Sequence, residues 1–343
     1  MDLDLEMDFR LARGLVREEL RPLRKAEAEK PHQKLAEAML ALLKESIRGP
    51  KFSTLLAQQN KRRLYRKASS LLNPILEFEH TTPRDRRDVL TRDSMGFLYW
   101  LPSQTLVTNI EEKRPVFQSE YLQLRYLRIG TDRRRMVMDD IFCHLQISDH
   151  TLIRILERGA TMRRPLELVN GGIRDLLKQT IAFIYFFKTT NIKVYPRALF
   201  NFREGAILTK WSAIAESTEQ EGRTFNFRLQ GDSSGFRSSS LPLESLFQAD
   251  IPNGNIGYDI MDLSTYVGPY EMSGEQNTIS RQLRDIFTDE SENLDKLLNL
   301  VIAPESLPLN SLSMLRNIGK RLEQVCSTKT WQIATSHNLL MSG

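Results

Sequence analysis

Cysteine is nearly absent from this chain: two residues, Cys143 and Cys326, in 343. Two cysteines cannot build a disulfide framework, and they suit a reducing cytoplasm, where the chain is expected to reside. No run of eighteen apolar residues occurs, so no membrane-spanning helix and no membrane partner are expected. The longest apolar block, Ile181–Phe187, meets Lys188 directly after it. The opening residues, MDLDLEMDF, are acidic and do not read as a secretory signal.

Metal-binding patterns are missing too. Cys143-His144, Cys326 and His337 are the soft-ligand candidates, but no C-x2-C or H-x3-H spacing links them. His32 and His80 fall in expected loops without partners. No Walker motif occurs, and no G-x-G-x-x-G follows a strand, so a phosphate-cradling loop is not supported. Neither a metal nor another cofactor is expected.

What is present is an ordinary globular composition, 41% hydrophobic and 27% charged, with a net charge of +5. The charge is unevenly spread: +5 over residues 1–150, +4 over 151–250 and −4 over 251–343. A basic front and middle suggest an anionic partner, nucleic acid first among candidates. A mildly basic protein with no such partner has the same composition.

Residues 1–73 read as a helical, basic region. Met7–Leu23, Lys34–Ile47 and Phe52–Leu72 carry apolar residues at helical spacing, with Pro22, Pro31 and Gly49-Pro50 as breakers. Residues 74–250 read as a central α+β domain. Gly96–Leu101 and Thr105–Ile110 are expected to be short strands around Pro102. Val116–Ile129 suits either strand or helix, Gly130–Arg135 is a basic turn, and Met136–Leu145 is expected to be a short helix. Pro165–Phe187 reads as a helix that Gly171-Gly172 could break. Ile192–Phe200 and Ala206–Trp211 form a hairpin signal, and Arg223–Leu229 alternates as a half-buried strand does. Residues 251–275 read as a loop-rich linker, and 276–343 as a C-terminal region with a helical pair, Gln276–Leu300 and Pro304–Cys326. The expected class is therefore α+β: helical N-terminal region, mixed central domain with an antiparallel sheet, and C-terminal helical pair.

The sharpest chemical signal is Ile147–Gly159, ISDHTLIRILERG. It reads as a helix opening at Ser148 or Asp149. His150, Arg154 and Arg158 follow at four-residue steps and form one stripe, with Leu152, Ile155 and Leu156 facing the core. The positive end of a helix disfavours protonation of His150, leaving it able to act as a base. Two arginines one turn apart repel unless an anion such as phosphate lies over them. A solvated helix face, with Glu157 and nearby acids relieving the arginines, presents the same pattern.

The H-x3-R-x3-R-G pattern at His150, Arg154, Arg158 and Gly159, followed by a second helix and strands, resembles the RelE-like ribonuclease toxins. Those belong to the barnase–EndoU–colicin–RelE group. The resemblance covers residues 147–229. It implies metal-independent RNA cleavage of toxin or defence type, in which the 2′-hydroxyl attacks the adjacent phosphate. His150 would then be the base or acid, Arg154 and Arg158 would hold the phosphate, and Lys210, Arg223 or Thr224 would complete the site from the sheet. Family members are much smaller than this chain, so the helical front would serve ribosome, partner or regulator binding.

Two further patterns compete. Gly231-Asp232-Ser233-Ser234-Gly235 matches the G-x-S-x-G nucleophile elbow, with His337 as a downstream base, but a flexible turn explains it better. The clusters Lys61, Arg62, Arg63, Arg66, Lys67 and Arg133, Arg134, Arg135 could grip a nucleic-acid backbone, RNA before DNA. Tyr65, and further off Tyr121 and Tyr126, could stack on bases. A solvated helix face and a polar turn account for the same clusters. The leading expectation is a nucleic-acid-directed protein, specifically a metal-independent ribonuclease. The alternative is a non-catalytic nucleic-acid-binding or scaffold subunit of a larger complex, whose acidic C-terminal helices dock a protein partner.

Overall fold

In a computed structural model, the described residues are 7–27, 66, 75–78, 95–108, 115–132, 135–159, 164–190, 197–215, 223–228, 235–240, 248–250, 256–302 and 309–336. They form an α+β fold with helices at both ends. The strands are β1 (Ile75–Phe78), β2 (Met95–Thr108), β3 (Pro115–Asp132), β4 (Arg135–Ser148), β5 (Arg197–Phe202), β6 (Gly205–Ala215), β7 (Arg223–Arg228), β8 (Gly235–Ser240), β9 (Gln248–Asp250) and β10 (Ile256–Val267). The helices are α1 (Phe9–Glu27), α2 (Asp149–Arg158), α3 (Pro165–Asn170), α4 (Ile173–Thr189), α5 (Gly274–Asp289), α6 (Ser291–Ile302), α7 (Leu309–Cys326) and α8 (Lys329–Ser336).

One mixed sheet runs in the order β1-β2-β3-β4-β10-β6-β5, with β7 and β8 beside β4 and β9 beside β10. Most pairs are antiparallel, as hairpin and meander connections require. β4 pairs in parallel with β10 and with β8. β2 is one strand rather than two. It passes through Pro102, opposite Leu122, because β1 pairs only with Gly96–Tyr99 and leaves no described neighbour on Pro102's other side. β3 resolves the ambiguity of Val116–Ile129 in favour of strand.

Two readings are overturned here. Met136–Leu145 is strand, not helix: it lies in β4, hydrogen-bonded to β3 on one side and to β10, β7 and β8 on the other. Residues 143–147 of β4 are buried on both faces, so the alternation that identifies a half-exposed strand is missing. Residues 251–275 are not continuous loop. They contain β10, a central strand of the sheet, where Ile260, Met261 and Leu263 are fully buried.

The helices bury one continuous core from Ala12 of α1 to Ala334 of α8. α4 is its centre, buried on nearly every side, which is why Ile181–Phe187 is apolar all round. Phe183 stacks on Phe200 of β5 at 5.5 Å and on Trp331 of α8 at 5.9 Å. The chain breaks between α3 and α4 at Gly171-Gly172, as read. A Cβ on Gly172 would lie 2.8 Å from the Phe202 ring, so only glycine allows the approach. At the C-terminus the expected pair is four helices. α5 starts with a capping box between Ser273 and Gln276 and stops at Glu290. α1 continues through Pro22 to Glu27, so that proline does not break it. Its buried residues Ala12, Val16 and Leu20 seat it against α2, α3 and β2. No helix of the described residues is long and apolar enough to cross a membrane.

Candidate functional site

The α2 helix opens as its sequence implies. Ser148 is the N-cap: its hydroxyl accepts from Thr151 N at 3.2 Å. Thr151 in turn donates its hydroxyl to Leu263 O at 2.6 Å, fastening α2 to β10. Leu152, Ile155 and Leu156 are buried, and the His150–Arg154–Arg158 stripe faces outward and sideways. Gly159 closes the helix by donating its N–H to Ile155 O at 2.9 Å. A Cβ there would come within 2.4 Å of that same oxygen, so the glycine of the motif has a packing role.

The pKa of His150 is lowered from its ordinary value. Partial desolvation of the ring is the main cause, and the charges of Arg154 and Arg158 add to it, all lowering the imidazole pKa. Both arginines have carboxylate partners. Arg154 donates to Glu157 at 2.7 Å. Arg158 pairs through Nε with Glu271 at 2.8 Å and donates from its other nitrogen to Tyr266 O. Glu271 also accepts from Gly268 N at 3.2 Å. The stripe is therefore wired to the segment after β10.

The sheet residues read with this stripe divide. Lys210 of β6 is exposed and directly opposes Asp262 of β10, which opposes Gln146 of β4. That row lies two residues short of Ser148, and Lys210 stands two strands, about 10 Å, from β4. Arg223 and Thr224 belong to β7. Arg223 opposes Arg237, which opposes Asp139 near the other end of β4. Nine residues of strand separate Asp139 from Ser148, roughly 30 Å, so Arg223 is not brought to His150.

A polar centre that sequence spacing does not assemble joins β4, β6, β10 and α4. The β3–β4 register jumps from Gln123↔Gln146 to Arg125↔Phe142, so Cys143, His144 and Leu145 share the space opposite Leu124. His144 adopts φ 55°, an uncommon backbone conformation for a residue with a side chain. Its Nδ1 lies 2.6 Å from Asp259 O, and its pKa is pushed down to about 4, chiefly by complete burial. The Asp259 carboxylate, 1% exposed, accepts from Trp211 Nε1 at 3.0 Å and pairs with Lys188 Nζ at 2.8 Å. These contacts pin the last turn of α4 to β10. The scattering of His144, Lys188, Trp211 and Asp259 over 115 positions gave no local signal.

Among the basic clusters, Arg66 is helical and Arg135 opens β4. Lys61, Arg62, Arg63, Lys67, Arg133 and Arg134 lie outside the described residues, as do His32, His80, Ser233 and His337. The segment from Gly235 is strand β8, so no helix follows the G-x-S-x-G pattern as an elbow requires. Cys143 and Cys326 are both buried.

A second basic feature was legible but unread. Arg10, Arg13, Arg17 and Arg21 recur at three- and four-residue steps on α1, form one line about 16 Å long, and are all exposed. No described carboxylate pairs with Arg10, Arg13 or Arg17; Arg21 lies 3.7 Å from Glu18, both widely exposed. Several carboxylates of the acidic C-terminal part have, by contrast, described cationic partners. Asp289 and Glu290 pair with Arg321, Asp295 with Lys178, and Glu292 with Lys296.

No protein-family model matches this chain, and no curated protein or solved structure matches it.

Proposed function

We propose that the protein binds nucleic acid, RNA before DNA, through a basic surface at the far end of the long β2–β3–β4 meander. The observation that carries the reading is the register there. Arg135 stands directly opposite Arg228, and Arg223 directly opposite Arg237. Asp139, four residues from Arg135 on the same strand, opposes Arg128 and Arg237, and Arg135 also opposes Asp132. Directly opposed residues share a face of the pleat, so five arginine positions and two aspartates share one face. Like charges directly opposed across strands destabilise a sheet unless an anion lies over them, and a chain of phosphates supplies that anion. The residues between Asp132 and Arg135 in sequence are Arg133 and Arg134, also basic.

Fluorescence anisotropy with a fluorescein-labelled RNA tests this. At low salt the wild type is expected to bind, and the double reversal Arg135→Glu, Arg228→Glu to weaken binding at least tenfold. An unbound RNA with the wild type refutes the reading.

Cleavage of the bound RNA is a second reading, favoured by the exposed position of His150 in the first turn of α2, where partial desolvation and the charges of Arg154 and Arg158 lower its pKa, as suits a general base. The carboxylate partners of Arg154 and Arg158 weigh against a phosphate-holding role for that pair, and binding without chemistry is the stronger conclusion.

A further inference from the structure

We propose that α1 is a contact surface for single-stranded nucleic acid, its arginine row lying along the phosphates and Phe9 taking an unstacked base. This rests on the nucleic-acid reading and names the form of the partner. Four exposed guanidiniums follow one another at successive turns, and at least three have no described carboxylate within reach. Neighbouring like charges at these spacings repel, so among the described residues the row is left largely uncompensated and fits a polyanion.

Phe9 decides between single strand and duplex. Its ring is 42% exposed, one turn before Arg13 and so at the border of the row. An exposed aromatic beside guanidiniums offers a stacking platform for a base whose π-face is free. Paired bases in a duplex are already stacked and offer it nothing. Ala12, Val16 and Leu20 hold one flank of α1 against the body of the protein. The deep, narrow major groove of A-form RNA would exclude the helix. Leu11 and Leu15, 54% and 38% exposed, lie on the side of α1 away from the row. They make an anionic lipid surface the competing partner to be tested.

The experiment uses the full chain and four proteins: wild type, Arg13→Glu/Arg17→Glu, Phe9→Ala, and Arg135→Glu/Arg228→Glu. The substituted α1 residues are exposed, and thermal melts check that folding is retained. Probes are a fluorescein-labelled oligouridine, a labelled RNA hairpin duplex, and phosphatidylserine vesicles. The expected result is that Arg13→Glu/Arg17→Glu raises the Kd for oligouridine at least tenfold. Phe9→Ala is expected to raise it several-fold while leaving duplex binding unchanged. If both α1 variants bind oligouridine like wild type while the β-strand variant loses it, the nucleic-acid reading stands and the α1 assignment is overturned. If wild type binds neither RNA, the nucleic-acid reading itself falls. Vesicle binding that the α1 reversal abolishes, with RNA binding untouched, reassigns the helix to a membrane surface.

Discussion

Arg158 Nε lies 2.8 Å from Glu271, and the same guanidinium donates to the carbonyl of Tyr266. A side chain that reads in sequence as a phosphate ligand thereby clamps the C-terminal end of α2 to the segment following β10. With Gly268 N also on Glu271, the clamp closes the end of one central strand against the helix that continues its neighbour. Arg158→Ala is expected to destabilise the protein by about 1–3 kcal/mol, since it strands a partly covered carboxylate and a carbonyl. Urea denaturation measures this. RNA affinity is expected to stay within twofold; a large loss of affinity at unchanged stability would make Arg158 a ligand after all.

Buried charge holds the C-terminus of α4 in place. Lys188→Met removes the partner of Asp259, whose carboxylate is almost wholly enclosed. Breaking such a pair on one side costs about 3 kcal/mol, somewhat softened here because Lys188 is partly exposed and Trp211 still donates to the carboxylate. Asp259→Asn combined with Lys188→Met is expected to recover part of that loss. Thermal melts of the two variants check it, and a double variant no better than the single one would refute the coupling.

Acid sensitivity is expected from His144. In the unfolded chain this imidazole protonates near 6.5, whereas in the fold it stays neutral down to about 4. Its contribution is therefore fully present above 6.5 and is lost as pH falls from there toward 4, at most about 3 kcal/mol. His144→Asn keeps an amide donor near Asp259 O and tolerates the positive φ. Stability profiles between pH 7 and 4 should be flatter for the variant; parallel profiles would assign the acid sensitivity elsewhere.

The cleavage reading has its own test. Wild type and His150→Ala are incubated with labelled total RNA in EDTA and resolved on a gel. If His150 acts as a base, wild type cuts and the variant does not, at equal stability. RNA left intact by both proteins retires the chemistry and leaves binding.

What the sequence disclosed depended on how local each cause is. α2 was legible to the residue because Ser148, the helical spacing of Leu152, Ile155 and Leu156, and Gly159 all act within a few positions. The hairpin of β5 and β6 was legible for the same reason. β4 was misread as helix because its buried stretch packs on both faces, and β10 was hidden among turn residues because its pairing with β4 spans more than a hundred positions. The candidate site followed the same rule. The stripe was visible, whereas the partners that occupy Arg158 were not, since Tyr266 and Glu271 arrive from a distant segment. The arginine row of α1 lay open in the three- and four-residue spacing, but the scarcity of carboxylates around it among the described residues becomes evident only once the helix is seated.

If the β4–β7–β8 end binds phosphates, RNA binding depends steeply on salt. Kd is measured by anisotropy across a range of salt concentrations for wild type and for Arg135→Glu/Arg228→Glu. Each phosphate contact contributes about 0.7 to the magnitude of the log–log slope for a single strand. The wild type is expected to show a steep slope and the variant one shallower by at least about 1.4. Equal slopes for the two proteins, or RNA binding that ignores salt, would contradict phosphate binding by these strands.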